Sequence, residues 1–151
     1  MGREIERKFL VGDECWRERA VSRHRLIDFI APFGNGKVRL RLTEEKAWIT
    51  VKGPRNGASR AEFEYEIPYD DAQAMLEALT SSPTVVKERY CVPEHGLTWS
   101  VDVHEEPNAG LVTAEVELES EDQPVTLPCW VGREITGLPI VIERPLFFVP
   151  G

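Results

Sequence analysis

The chain has 151 residues, 42% hydrophobic and 29% charged, which fits one globular domain able to bury a core without disulfide help. A net charge of -8 excludes the broad basic surface of a general nucleic-acid binder, although it leaves room for a local basic pocket. The three cysteines, Cys15, Cys91 and Cys129, show no CxxC spacing, so a disulfide framework and a zinc site are both disfavoured and reduced thiols are expected.

The opening Met1-Gly2-Arg3-Glu4 is charged and does not read as a signal peptide. No apolar run approaches the length of a membrane span. A cytoplasmic protein with no membrane or nucleic-acid partner is the expectation. No repeat or linker divides the chain, so residues 1–151 are expected to form a single domain.

In chain order, period-two alternation of apolar and polar residues predicts strands near 3–11, 24–31, 37–44, 46–53, 61–68, 84–91, 97–104 and 111–120. Turn signals separate several of them, among them Gly34-Asn35-Gly36, Gly53-Pro54-Arg55-Asn56-Gly57 and Pro107-Asn108-Ala109-Gly110. A short helix is expected from Asp13 to about Ala20. A second is expected over Asp70–Leu79, where Ala72, Met75, Leu76 and Leu79 form one stripe and Asp70 and Asp71 suit the positive end of the helix dipole. The fold class is therefore mainly β with a few flanking helices. A closed eight-stranded antiparallel barrel removes every sticky edge, but alternation alone does not separate it from an open sheet or a sandwich.

The polar positions of these strands carry like charges in groups. Period two places Glu4, Glu6 and Lys8 on one face of the first strand, with Ile5 and Phe9 on the other. In the same way Arg39 and Arg41 share a face, with Lys37 in line behind them. Lys52 lies with Thr50 and Trp48, Glu62 with Glu64 and Glu66, and Lys87 with Arg89. Asp102 lies with Ser100 and His104, and Glu115 with Glu117 and Glu119. A charged stripe on a strand is most often a solvated face. Grouping by sign pulls against that reading, because neighbouring carboxylates repel unless a hard cation joins them, and clustered lysines and arginines suit a phosphate chain. Facing inward together, the two groups would form a charged, water-filled tunnel in which phosphoryl transfer is promoted by positioning and electrostatics.

The segment Glu4-Ile5-Glu6-Arg7-Lys8-Phe9-Leu10 resembles the ExExK opening motif of the CYTH, or triphosphate tunnel metalloenzyme, family. Further stretches resemble the family in the same order. These are Val38–Leu42, Ala47–Gly53, Ser59–Ile67, Lys87–Tyr90, Trp99–Val103 and Ala114–Leu118. The resemblance implies a tunnel of eight antiparallel strands, magnesium or manganese as cofactor, and a small-molecule triphosphate as substrate. It implies phosphate binding by Lys8, Arg39, Arg41, Lys52, Lys87 and Arg89, and metal coordination by Glu4, Glu6, Asp102, Glu115 and Glu117. Glu62 and Glu64 fall at the positions placed near the attacking water, and Lys87 is a candidate proton acceptor. The chain departs from the family pattern at Leu138–Pro145, where related short members carry an Asp-x-Arg-Tyr-x-Asn-like segment, so the closure of one tunnel mouth is expected to differ.

The function expected is metal-dependent hydrolysis of a triphosphate, first of all inorganic tripolyphosphate. A thiamine triphosphatase, an adenylyl cyclase of the same fold and a non-catalytic polyphosphate-binding module are the alternatives. A homodimer is compatible with a barrel this small. His24 and His95 have no ligand spacing, while His104, in line with Asp102, is the one histidine placed to reach the tunnel. Trp48 reads as a packed aromatic, and Arg60 as a phosphate contact or a turn residue.

Overall fold

The computed structural model describes residues 2–79 and 84–139. The strands are β1 (Arg3–Val11), β2 (Ser22–Phe33), β3 (Gly36–Leu42), β4 (Ala47–Lys52), β5 (Ser59–Ile67), β6 (Val85–Glu94), β7 (Leu97–His104), β8 (Val112–Glu117) and β9 (Val131–Glu134). One α-helix, α1 (Tyr69–Leu79), follows β5. The segment expected as a helix from Asp13 is a short 3-10 turn over Cys15–Arg19. Asp13 Oδ1 accepts the Cys15 N–H at 2.9 Å, an Asx turn that leads into this short segment.

All the pairings are antiparallel, in the order β5-β4-β3-β2-β6-β7-β8-β1, and β5 pairs back onto β1 to close a ring. The expected eight-stranded tunnel is thus formed, and the open-sheet and sandwich alternatives are not. β1 makes the closure possible by dividing one edge between two partners. Arg3–Ile5 pair with β5, and Phe9 and Val11 pair with β9, while Glu6–Leu10 pair with β8 on the other edge. β9 was not expected from the sequence, and β8 ends at Glu117, so Glu119 lies beyond the strand. The departure at Leu138–Pro145 falls mostly outside the described residues, which reach only Pro139.

Alternation then decides what faces in. Glu4 and Glu6 are buried at 6% exposure inside the ring, and Phe9 at 1% lies outside it. The main apolar core is therefore an outer layer. Phe9, Trp99, Val101, Ala114 and Val116 project from β1, β7 and β8 onto Trp16 of the 3-10 turn and onto Trp130. The Trp99 and Trp130 rings meet edge to face at 5.6 Å. A second outer layer, Leu40, Leu42 and Ala47, packs under Ala72, Met75 and Leu76 of α1. Three of the four residues of the apolar stripe predicted for that helix seal this side of the ring, whereas Leu79, at its last turn, is exposed.

At the β2–β3 hairpin the strands approach too closely for a side chain. A Cβ on Gly36 would overlap the Lys52 carbonyl oxygen, so this glycine lets β3 and β4 pair up to the end where Lys37 and Lys52 stand opposite each other. Among the described residues no helix is long and apolar enough to cross a membrane.

Candidate functional site: a charged tunnel

The ring encloses a cavity of about 410 Å³. Among the described residues nine basic and seven acidic side chains line it, together with Thr98, Ser100 and a single apolar residue, Ile30. Inside a protein of net charge -8, the cavity wall is thus slightly positive. Every expected site residue reaches the wall except Asp102, which lies directly behind Lys87 and Arg89 with no exposed surface. The charges are segregated into two poles, and the register of the strands explains how.

The basic pole is built from β3 and β6 with their neighbours. Arg89 donates through Nε and Nη2 to the two Asp102 oxygens, each at 2.8 Å, and reaches Glu115 at 3.3 Å. Lys87 Nζ lies 2.9 Å from the same Asp102. Burial alone would raise the Asp102 carboxyl, but Arg89 and Lys87 outweigh it and hold the group well below the usual carboxylate range. Both oxygens of Asp102 are engaged by these two bases, so it acts as their shared brace. Glu115 is likewise depressed, its burial outweighed by Lys8 at 3.2 Å and by Arg89. Lys87 moves the other way: burial, then Arg89 and Arg41, lower its ammonium against the pull of Asp102. His104, opposite Lys87 in register, is buried with Nδ1 3.1 Å from the Leu111 carbonyl.

Asp28 is a tunnel residue that sequence reasoning did not single out. It stands opposite Arg41 across β2 and β3, and Arg41 donates to its two oxygens at 2.7 and 2.8 Å. Asp28 is 2% exposed, and Arg41 overcomes its burial and holds its carboxyl at about 2. A depressed carboxyl stabilises the fold above its unfolded pKa, so this contribution, on the order of 2 kcal/mol, is present above about pH 4 and is lost as the pH falls towards 2. Asp28→Asn is expected to lower stability by on the order of 3 kcal/mol at neutral pH, because it leaves a buried arginine without its counter-charge. The effect should shrink between pH 4 and pH 2, where urea unfolding of both forms would converge.

Arg39, on the same face as Arg41, is held far more loosely. Its Nη2 lies 3.3 Å from Glu64, and its buried Nε has no hydrogen-bond partner among the described residues. Buried donors are nearly always satisfied in folded proteins, so this unfilled one, on a residue that lines the cavity, sets Arg39 apart from the fully paired Arg41 and Arg89. Glu64 in turn accepts from Thr50 at 2.7 Å.

The acidic pole is made by β1, β5 and β8. Lys52 Nζ sits 3.3 Å from both Glu4 and Glu62, and Arg55 lies 3.6 Å from Glu6. Arg55, in the loop after β4, is a second lining residue that the strand pattern could not reveal. Glu6 and Glu117 stand opposite each other in register. These cations do not neutralise the cluster. Burial, followed by Glu115 and Glu4, pushes Glu6 up to about 8. Glu62 and Glu117 are also raised, by burial first and then by Glu4.

Among the described residues no three carboxylates stand close enough to share one ion as they are placed, since Glu4, Glu6 and Glu62 are turned onto Lys52 and Arg55. The donor chemistry nevertheless fits a hard cation. Several all-oxygen ligands are crowded together, and three of them are pushed towards their neutral forms by burial and by each other's charge.

Fold and site together define an antiparallel tunnel protein with a basic pole and a carboxylate pole. The CYTH domain model matches residues 2–140, and the chain belongs to that family. An inorganic triphosphatase from Acetivibrio thermocellus is 41% identical over 146 residues, covering 97% of this chain and 94% of that protein. The crystal structure of the inorganic triphosphatase NE1496 superposes with a TM-score of 0.63 at 29% identity, covering 89% of this chain and 90% of that one. A conserved hypothetical protein from Pyrococcus furiosus shares the fold at 19% identity with a TM-score of 0.60, covering 79% of this chain and 80% of its own.

Proposed function

We propose that this protein is a metal-dependent triphosphatase whose substrate is inorganic tripolyphosphate. The observation that carries the reading is the charge segregation of the tunnel wall. A track of lysines and arginines faces a set of crowded carboxylates across one cavity, the arrangement needed by a polyanion that binds together with a divalent cation. The inorganic triphosphatase relatives support the same assignment.

In this reading Arg39, Arg41, Lys87 and Arg89 grip the phosphate oxygens, with Lys8 and Lys52 at the boundary between the poles. Arg39 brings an unfilled donor. Asp28 and Asp102 fix the planes of Arg41 and Arg89 before substrate arrives, which lowers the cost of ordering them on binding. Glu4, Glu6 and Glu117 would hold Mg2+ or Mn2+, with Glu115 available on the Arg89 side, and Asp102 serves the bases. The bound ion would neutralise charge on the phosphate chain and acidify water. Glu62, which shares Lys52 with Glu4, lies beside this group, and Glu64 follows it on β5 next to Arg39; both orient the attacking water, and Lys87, lowered by burial and by its arginine neighbours, takes up the released proton. Water adds to a terminal phosphorus, the anhydride bond to the central phosphate breaks, and phosphate and diphosphate leave.

The lining also favours an inorganic substrate. Among the described residues Ile30 is the one apolar residue of the wall and no aromatic side chain lines it, so these residues offer nothing for a nucleobase or a thiamine ring to stack on. Trp48, opposite Arg41 in register, does not line the cavity. Tripolyphosphate, thiamine triphosphate and ATP should be supplied in parallel with Mg2+ or Mn2+, and phosphate and cyclic AMP measured. The reading predicts phosphate release, highest from tripolyphosphate. Cyclic AMP from ATP would make the protein a cyclase, and tight binding of tripolyphosphate without turnover would make it a binding module.

A further inference from the structure

Two of the three cysteines meet on the outer surface, away from the tunnel. Cys15 Sγ, in the 3-10 turn, lies 3.8 Å from Cys129 Sγ, in the loop before β9, although 114 positions separate them in sequence. Both are free and exposed, whereas Cys91 on β6 is half-buried. The fold imposes the approach at several points. Each cysteine precedes a fully buried tryptophan, Trp16 or Trp130, and both indoles belong to the same outer core. The Gly12 N–H donates to the Trp130 carbonyl at 2.8 Å, which holds the two backbones side by side. Asp13 fixes the turn by accepting the Cys15 N–H. A disulfide needs the sulfurs at about 2 Å, so each thiol has only about 1 Å to travel on an otherwise anchored backbone.

We infer that Cys15 and Cys129 form a reversible disulfide-forming pair, oxidised by low-molecular-weight disulfides, that braces the 3-10 turn against the β9 segment. In the first step the Cys129 thiolate attacks the oxidant's S–S bond. That bond breaks, a mixed disulfide forms on Cys129, and one small thiolate leaves. The Cys15 thiol then gives its proton to solvent and attacks the Cys129 sulfur, and the second small thiolate leaves. In the balance two protein thiols are oxidised and one small disulfide is reduced to two thiols. The order follows from Asp13, whose hydrogen bond to the Cys15 thiol leads the causes that push that thiol up to about 12 and make it the poorer first nucleophile.

The consequence reaches the tunnel through β9. The Ile135 N–H donates to the Lys8 carbonyl at 2.8 Å, and the Lys8 N–H to Thr136 Oγ1 at 3.0 Å, so the strand tied down by the bridge lies against the backbone of a lining residue. A crosslink closing so long a loop also restricts the unfolded chain strongly.

The test uses the full chain incubated with glutathione disulfide, then alkylated, digested and mapped by mass spectrometry, with thermal unfolding followed in parallel. The expected result is a Cys15–Cys129 peptide pair two hydrogens lighter than the free thiols and reversed by dithiothreitol. A rise in Tm on the order of 5–10 °C should accompany it, shared by Cys91→Ser and absent from Cys15→Ser and Cys129→Ser. Glutathione adducts without the internal bridge, a bridge to Cys91, or no reaction at all would overturn the pairing. A Cys15–Cys129 bridge with unchanged Tm would overturn the brace.

Discussion

Exchanging Glu117 for Gln is expected to cut metal-dependent turnover by about 100-fold or more while leaving the protein at least as stable as the parent. Glu117 stands opposite Glu6 across β1 and β8, and burial, Glu4 and Glu115 all push its carboxyl up. As a structural element it is a liability, because its charge repels its neighbours and no ion pair with a described residue offsets it. Removing the charge relieves that repulsion. An activity loss together with unchanged or higher stability in urea therefore separates a role in holding the cation from a role in holding the fold. Retained turnover in this variant would remove Glu117 from the metal site. Glu6→Gln should lose turnover in the same way, since Glu6 is the most strongly raised carboxyl of the cluster, but with a smaller gain in stability because it also gives up its 3.6 Å contact with Arg55.

Arg39→Ala should raise KM for tripolyphosphate about 10–100-fold, the worth of one or two charge-assisted hydrogen bonds to phosphate, with a smaller change in kcat and normal stability. Arg39 holds little of the fold together. Its contact with Glu64 is 3.3 Å long, and its Nε is unfilled among the described residues. Arg41 differs although it lies two positions away on the same face. Arg41→Ala strands the buried Asp28 carboxylate, so it should lose stability on the order of 3 kcal/mol in addition to substrate affinity. Comparing urea midpoints of the two variants beside their KM values tests that division of labour. Equal stability in the pair would show that the Asp28 clamp matters less than its geometry indicates.

The contrast between these two arginines marks how far the sequence could be read. Period-two alternation was enough to align Glu4, Glu6 and Lys8, Arg39 and Arg41, and Glu115 and Glu117 on common faces, because a strand has only two faces. Grouping by sign only pulled against a solvated face, and the resemblance to the CYTH family was what turned those faces inward. Which side chain meets which depends on register between strands, and no single strand encodes that. Asp28 was passed over for this reason: Leu26-Ile27-Asp28-Phe29-Ile30 reads as an apolar run with one interruption, and its meaning appears only when Arg41 is found opposite. Asp102 was visible as an acid, but two bonds from Arg89 and one contact from Lys87 give it a different part to play from the acids of β1 and β8. Arg55 sits in a loop, where alternation is silent. β9 was missed because Val131-Gly132-Arg133-Glu134 is short, carries a glycine and has no alternating stripe, and its pairing with the free part of one β1 edge is what makes it a strand.

Ring closure also escaped the pattern. Eight alternating segments predict strands, but the join between β1 and β5 is a property of a twisted sheet meeting itself, and Arg3–Ile5 carry no local sign of it. The flanking elements follow the same division. The stripe of α1 was legible because a helix states its buried face in its own sequence, whereas the 3-10 turn at Cys15–Arg19 is set by the Asp13 bond and by Trp16 entering the outer core.

The most direct test of the tunnel as a metal-dependent triphosphatase site is the rate of phosphate release from tripolyphosphate by metal-stripped protein as Mg2+ or Mn2+ is added back. The account predicts no release without added metal, a rise that saturates with one of the two ions, and a curve that collapses in Glu117→Gln. Release at full rate in the stripped protein, or none with either ion, would contradict it.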